Sequence, residues 1–181
     1  MNPPSGVRSP AMRKLLILAA CGVAAAIPSY RARAAAPPPD GSSTVSGTLT
    51  VDGKATSPSH AYLDETDPDE PIVVLSDQPL PPDAIPFIPE KLVRDSGLHA
   101  VAFSVSRKDG RLTNTYGKLF CPGHEIGVGF ARVEDGNVAL ETKRIDASGI
   151  EGRFMTPKPV KLSFVAYAFD LSFRAAAGSR K

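Results

Sequence analysis

Ala166-Tyr-Ala-Phe-Asp-Leu-Ser-Phe173, near the end of the 181-residue chain, gives the clearest indication of the fold. Large apolar residues alternate here with alanine or polar residues, as expected of a β-strand with one buried face. Residues 45–51 and 101–106 repeat this alternation. Asp-Gly pairs follow closely at 52–53 and 109–110, and such pairs favour tight hairpin turns because both turn positions tolerate a positive φ. The pattern predicts paired antiparallel strands.

About eight to nine strands fit the sequence, with turn signals roughly every eight to twelve residues. One short helix is expected at residues 89–96, between a proline that suits a first turn and Gly97, which suits the position after the last turn. The alternation of strands and helices that a parallel sheet needs is missing. We therefore predict a single all-β domain over residues 45–175, an antiparallel sandwich or barrel, with a flexible spacer at 35–44 and a disordered tail at 176–181.

A proline-rich segment interrupts the strand pattern between Asp77 and Pro89. Its five prolines exclude a long helix and a central strand, because proline lacks the backbone N–H. Two interpretations are open: a lid that covers an opening or edge of a sheet, or a loop that binds a partner. On the second interpretation the candidate binding residues are Ile85, Phe87 and Ile88.

The N-terminus has the order of a secretory signal. Residues 1–34 contain five basic residues and no acidic one, and Arg13 and Lys14 precede an apolar run at 15–27. Small residues follow at 32–36, as at a signal-peptidase site. The run is shorter than the ~20 residues of a membrane span. We expect a signal peptide at 1–34, a periplasmic or secreted protein, and no transmembrane span in the mature chain.

A second form of processing competes with this one. Leu18-Ala-Ala-Cys21-Gly22 resembles the bacterial lipobox, in which the cysteine is lipidated and becomes the N-terminus. Lipidation of Cys21 would give a lipid-anchored envelope protein. The apolar run continues beyond Cys21, as in an ordinary signal peptide, and both alternatives place the domain outside the cytoplasm.

The net charge narrows the choice of partner. The formal charge of +2 comes from the leader, and the remainder of the chain has 16 basic and 19 acidic residues. That balance argues against a nucleic-acid partner. The remaining charge is uneven, −8 over residues 35–95 and +5 over residues 96–181. We expect an unknown protein or envelope component as the partner.

Residues that carry chemistry are few. Apart from Cys21 the chain has one cysteine, Cys121. We therefore expect no disulfide, and we expect the thiol of Cys121 to be buried. Cys121 and His124 have a metal-ligand spacing, but no second pair completes a zinc site, so no metal and no cofactor are expected. Neither G-x-S-x-G nor H-E-x-x-H occurs. We assign no catalytic residue and keep His60 and His124 as candidate binding residues.

Three segments resemble a family of uncharacterised secreted bacterial β-rich proteins. They are Gly47-Thr-Leu-Thr-Val-Asp-Gly-Lys54, His60-Ala-Tyr62, and Val73-Val-Leu-Ser-Asp77 followed by Pro79-Leu80. The resemblance implies a β-rich fold outside the cytoplasm and brings no activity, ligand or catalytic residue. The sequence therefore predicts a secreted or periplasmic non-enzymatic binding module, or an envelope accessory module, of unknown ligand. The alternatives are a small extracytoplasmic enzyme that uses histidine and carboxylate residues, and a lipid-anchored envelope protein.

Overall fold

The computed structural model describes residues 42–130 and 136–178. The predicted signal peptide, Cys21, most of the predicted spacer and half of the predicted tail lie outside these ranges. Thr44 of the predicted spacer and Ala176 of the predicted tail belong to strands. The described elements, in chain order, are β1 (Thr44–Val51), β2 (Lys54–Thr56), β3 (His60–Asp64), β4 (Ile72–Ser76), a 3-10 turn (Pro82–Ala84), α1 (Glu90–Ser96), β5 (Ala100–Val105), β6 (Leu112–Cys121), β7 (His124–Gly129), β8 (Ala139–Asp146), β9 (Gly149–Met155), β10 (Val160–Lys161) and β11 (Ala166–Ala176).

The described strands form two antiparallel sheets. The first has the order β2-β1-β11-β9-β8, with β10 paired to β11, and the second has the order β3-β4-β5-β6-β7. The all-β prediction is confirmed, and the sandwich is the correct one of the two expected architectures. The eleven strands exceed the predicted eight to nine partly because β2 and β10 are only three and two residues long.

The Asp52-Gly53 turn closes the first hairpin as the sequence predicts. Both residues have a positive φ, 48° at Asp52 and 78° at Gly53, and β1 pairs with β2 on either side of them. The strand that follows this turn is short and ends at Thr56. The chain leaves the first sheet after β2 and enters the second sheet at β3, and Pro58, which has no N–H for a strand ladder, lies in the connection.

Strand β11 supplies much of the core between the sheets. It lies between β1 and β9, and its residues Tyr167, Phe169, Leu171 and Phe173 are all buried. Phe103 of the second sheet is in ring contact with Phe173, with ring centroids 5.6 Å apart. The alternation that predicts this strand is therefore the alternation between the core and the outer face of the first sheet.

The second sheet is covered on its other face as well. We call residues 77–99, which contain the 3-10 turn and α1, the strap. A second apolar cluster combines strap residues with residues of the second sheet, and its members are Val74, Leu80, Ile85, Ile88, Val93, Leu98, Ala100, Ala102 and Phe120. The expectation that the proline-rich segment covers an opening or edge is corrected: it covers a sheet face, because β4 and β5 have apolar residues on both sides.

The two oppositely charged halves of the chain meet at Arg107. Its guanidinium lies 2.5 Å from Glu65 and donates hydrogen bonds to the carbonyls of Pro68 at 3.1 Å and Asp146 at 2.7 Å. Arg107 therefore binds the acidic loop at 64–70. This ion pair partly cancels the charge difference between the two halves of the chain.

The α-helix α1 is seven residues long. Within residues 42–130 and 136–178, no helix combines the length and apolar character needed to cross a bilayer.

Gly47 provides a test of the β1–β11 pairing. It has a φ of +127°, and an added Cβ would lie 2.0 Å from the carbonyl oxygen of Asp170. We expect Gly47→Ala to lower the free energy of unfolding by more than about 3 kcal/mol, from backbone strain and displacement of β11. The control is Gly53→Ala, where φ is +78° but nothing lies within 4 Å of the added Cβ.

The control should lose only about 1–2 kcal/mol, from its left-handed backbone alone. Urea denaturation of both variants gives the comparison, and equal losses would contradict the described pairing of β1 and β11.

Candidate functional site

Three large apolar side chains are exposed in the described part of the chain. The exposed fractions are 69% for Phe87, 72% for Ile126 and 60% for Phe164. They come from the strap, from β7 and from the connection between β10 and β11. Two grooves bring them together around β7, the last strand of the second sheet. We call these two grooves the β7 edge site.

The Phe164 groove lies along one side of β7 and has a volume of about 350 Å³. Its lining residues are Gly123, His124, Glu125, Ile126, Gly127, Val128, Gly129, Leu162 and Phe164. The rings of His124 and Phe164 are in contact, with centroids 5.5 Å apart. The glycines leave backbone exposed to the groove, so a ligand can approach the strand closely.

The Phe87 groove has a volume of about 300 Å³ and shares Ile126 and Glu125 with the first groove. Its lining residues are Phe87, Ile88, Pro89, Glu90, Tyr116, Lys118, Phe120, Glu125 and Ile126. Phe87 meets Tyr116 edge to face, with ring centroids 5.7 Å apart. One groove wall therefore belongs to the strap and the other to β6 and β7.

Three hydrogen bonds hold Tyr116 in place. Its backbone N–H donates to the hydroxyl of the buried Ser104 at 3.0 Å, and that hydroxyl donates to the Tyr116 carbonyl at 3.2 Å. Its own hydroxyl donates to the carbonyl of Pro86 at 3.4 Å. Burial raises the pKa of Tyr116 to about 12, so its hydroxyl stays protonated at neutral pH.

A bulge in β7 exposes Ile126. Leu119 pairs with Val128 and Cys121 with His124, so a single residue of β6 faces residues 125–127 of β7. Gly127 makes this possible: its φ is +86°, and an added Cβ would lie 2.9 Å from the Phe120 ring. Bulges of this kind re-aim side chains at sheet edges. Val128 is consequently buried while Ile126 faces solvent.

Few charged side chains line the grooves: Glu90, Lys118 and Glu125. Backbone hydrogen bonds from its own N–H and from Gly123, with smaller effects of Arg94 and His124, lower the pKa of Glu125. The Lys118 ammonium lies 5.7 Å from the centroid of the Tyr116 ring and 3.4 Å from the carbonyl oxygen of Ile126. The rest of the lining is largely apolar side chains and glycine backbone, so apolar surface is the main feature of the site.

The sequence-predicted binding residues separate into two groups. Phe87 and His124 line the grooves, and His124 is the first residue of β7. Ile85 is buried and lines neither groove, and Ile88 lines the Phe87 groove while being only 6% exposed. His60 is in β3, at the opposite edge of the second sheet, and stacks on Tyr62 with ring centroids 6.4 Å apart.

A histidine–carboxylate pair is one feature that sequence reasoning missed. His99 Nδ1 lies 3.2 Å from Asp77 Oδ2, and the backbone N–H of His99 donates to Asp77 Oδ1 at 2.9 Å. Thr56 donates to the same carboxylate at 3.1 Å. The two partners are 22 positions apart and meet only because β4 pairs with β5. Neither lines the grooves of the β7 edge site.

Cys121 is buried, as the sequence predicts. Burial, with smaller contributions from the carboxylates of Asp52 and Glu125, raises the pKa of its thiol to about 11. A thiol with so little thiolate at neutral pH is a poor nucleophile. Within residues 42–130 and 136–178, no group of three or more histidine, cysteine, aspartate or glutamate residues is placed to hold a metal ion.

Comparisons of the chain with protein-family models, with curated proteins and with solved structures give no significant match. The functional inference therefore depends on the residues and geometry of the β7 edge site.

Two neighbouring strap residues, Ile85 and Phe87, differ in exposure: Ile85 belongs to the second apolar cluster and Phe87 faces solvent. Ile85 is 7% exposed, so Ile85→Ala should lower the free energy of unfolding by about 2–4 kcal/mol through loss of packing. Phe87 is 69% exposed, so Phe87→Ala should change it by less than about 1 kcal/mol. Chemical denaturation of the two variants checks this, and a reversed order would contradict the described packing of the strap.

Proposed function

We propose that this chain is an extracytoplasmic, non-enzymatic binding module that holds an apolar segment of a partner protein at the β7 edge site. The observation that carries the proposal is the convergence of Phe87, Ile126 and Phe164 on the two grooves beside one strand. Contiguous exposed apolar surface with a polar rim is typical of interaction sites. Single exposed apolar residues scattered over the surface would carry no such meaning.

The bulge in β7 determines the mode of binding that we propose. A partner strand that adds along a sheet edge needs a regular row of backbone groups, and the irregular pairing at residues 125–127 interrupts that row. The partner therefore contributes mainly side chains. Bulky apolar residues enter the grooves on the two sides of Ile126, and the exposed glycine backbone of β7 adds a few hydrogen bonds.

The lining of the site favours binding over catalysis. Covalent catalysis needs a nucleophile next to an oriented base, and among the residues that line the grooves only His124 is a histidine. The described contact of the His124 ring is with Phe164, an apolar neighbour that does not orient a base. Glu125 is engaged by the N–H of Gly123 at 3.0 Å.

The alternative of a small enzyme has one observation in its favour, the Asp77–His99 pair. An aspartate that orients a histidine is part of the hydrolase triad. Among the described residues, however, no hydrogen bond of His99 reaches a hydroxyl or thiol, and its side-chain partner is Asp77. The contacts of the pair join the residues at which the chain leaves β4 and enters β5.

The extracytoplasmic location is part of the proposal and is supported by the order of charges and apolar residues in residues 1–34. Mass spectrometry of the mature N-terminus separates the two forms of processing. A free Ala35 supports secretion into the periplasm or beyond, and a diacylglycerol adduct on Cys21 supports a lipid anchor.

Site-directed photo-crosslinking tests the binding site. A benzoylphenylalanine at position 126 should give a discrete adduct with an envelope protein, and the same probe at position 46, an exposed position of β1 in the first sheet, should not. Adding Phe164→Ser to the position-126 probe should reduce the adduct about tenfold, because central apolar contacts dominate such interfaces.

Thr48→Asp, on the exposed part of β1, is the control variant and should leave the adduct unchanged. Equal labelling from positions 126 and 46, or an adduct that is insensitive to Phe164→Ser, would overturn the proposed site.

A further inference from the structure

The strap is a closed excursion from the second sheet. Ser76 pairs with Ala100, so residues 77–99 leave and re-enter the sheet at facing positions. Backbone and side-chain bonds join the two ends: the N–H of Asp77 donates to the carbonyl of His99 at 3.0 Å, and the carboxylate of Asp77 receives the N–H and faces the ring of His99. We call this set of contacts the neck.

The apolar cluster beneath the strap is separate from the sandwich core. The sandwich core is formed by the inward residues of both sheets, and the strap packs on the opposite face of the second sheet. The sheet side of this second cluster consists of Val74, Ala100, Ala102 and Phe120, so most of its large apolar residues come from the strap. Removal of the strap would therefore leave the contacts of the sandwich core in place.

The strap also builds half of one groove. It supplies Phe87 and residues 88–90 to the Phe87 groove, and β6 and β7 supply the rest. Two tyrosine hydroxyls attach the strap to the sheet: Tyr62 accepts the N–H of Leu80 at 2.8 Å, and Tyr116 donates to Pro86 at 3.4 Å. The Phe87 groove exists only while the strap is closed.

We infer that the strap opens and closes as one unit, with the Asp77–His99 pair as the latch at its neck, while the sandwich stays folded. Segments with their own apolar cluster and few links to the rest of a domain open at lower free energy than the domain unfolds. The consequence for binding rests on the proposed function: a partner that fills the Phe87 groove favours the closed strap, and opening releases the partner.

Native-state hydrogen exchange of the whole chain, measured without any partner, tests the inference. The reporters of the strap are the amides of Leu80, Val93 and Gly97, each hydrogen-bonded within the strap or to Tyr62. The reporters of the sandwich are the amides of β11. In wild-type protein at low denaturant concentrations, we expect the strap amides to share one opening free energy. This free energy should be lower than that of the β11 amides.

Two variants identify the latch. Asp77→Ala and His99→Ala should speed exchange of the strap reporters about tenfold or more, as expected for the loss of a hydrogen bond to a charged group, and leave the β11 amides unchanged. The control is Asp170→Ala, which removes a carboxylate paired with Arg153 at 2.7 Å on the first sheet. It should leave the strap reporters unchanged.

A common opening free energy for strap and sandwich in wild-type protein would overturn the inference, even if Asp77→Ala fails to fold. The inference would also be overturned if the latch variants accelerated exchange equally in the strap and β11 amides, or if they accelerated no strap amide. The two proposals fail separately. If the strap opens as one unit but the probe at position 126 gives no crosslink, only the binding proposal is contradicted. If strap and sandwich amides share one opening free energy while the crosslink forms, only the inference about the strap is contradicted.

Discussion

The second sheet has apolar residues on both faces, and the strap and the β7 edge site follow from the need to bury them. Its central strands β4 and β5 are apolar on both sides: Val73 and Leu75 face the sandwich core, and Val74 faces the strap. Exposed apolar surface on this scale is unfavourable in water. An antiparallel sheet usually leaves one face to solvent, so the second face here needs a cover, which the strap supplies.

This cover explains both the composition of the strap and the position of the site. Prolines prevent the segment from joining a sheet, and the buried side chains of Leu80, Ile85 and Ile88 pack it against the sheet face. The strap borders the β6–β7 side of the sheet through Phe87 and α1. The ring of Phe87 therefore remains exposed beside Ile126. In the described order no strand follows β7, and the bulge makes the edge of β7 irregular.

The fold could be predicted where the signal is local. The alternation in residues 166–173 and the Asp52-Gly53 turn depend on neighbouring residues, and the structure has both as expected. The separation of β2 from β3 was not predictable in this way, because Ser57, Pro58 and Ser59 fit a bulge within one strand as well as a crossing between sheets.

The site was harder to predict because its residues meet through tertiary contacts. Ile126 and Val128 are two positions apart and would share a face in a regular strand, but the bulge at Gly127 exposes one and buries the other. Phe164 gives no local signal of its contact with His124. In the strap, Ile85 and Ile88 are buried and Phe87 is exposed, a division that no strand or helix period in the sequence predicts.

Nuclear Overhauser contacts between methyl groups across the second apolar cluster test most directly whether the strap covers the second sheet. Ala100 and Ala102 lie on the covered face, and their methyl groups should show contacts to those of Leu80, Ile85 or Ile88. Solvent-exposed alanine methyls without contacts to the strap would contradict the account, because the second sheet would then have an uncovered apolar face and the Phe87 groove would lose a wall.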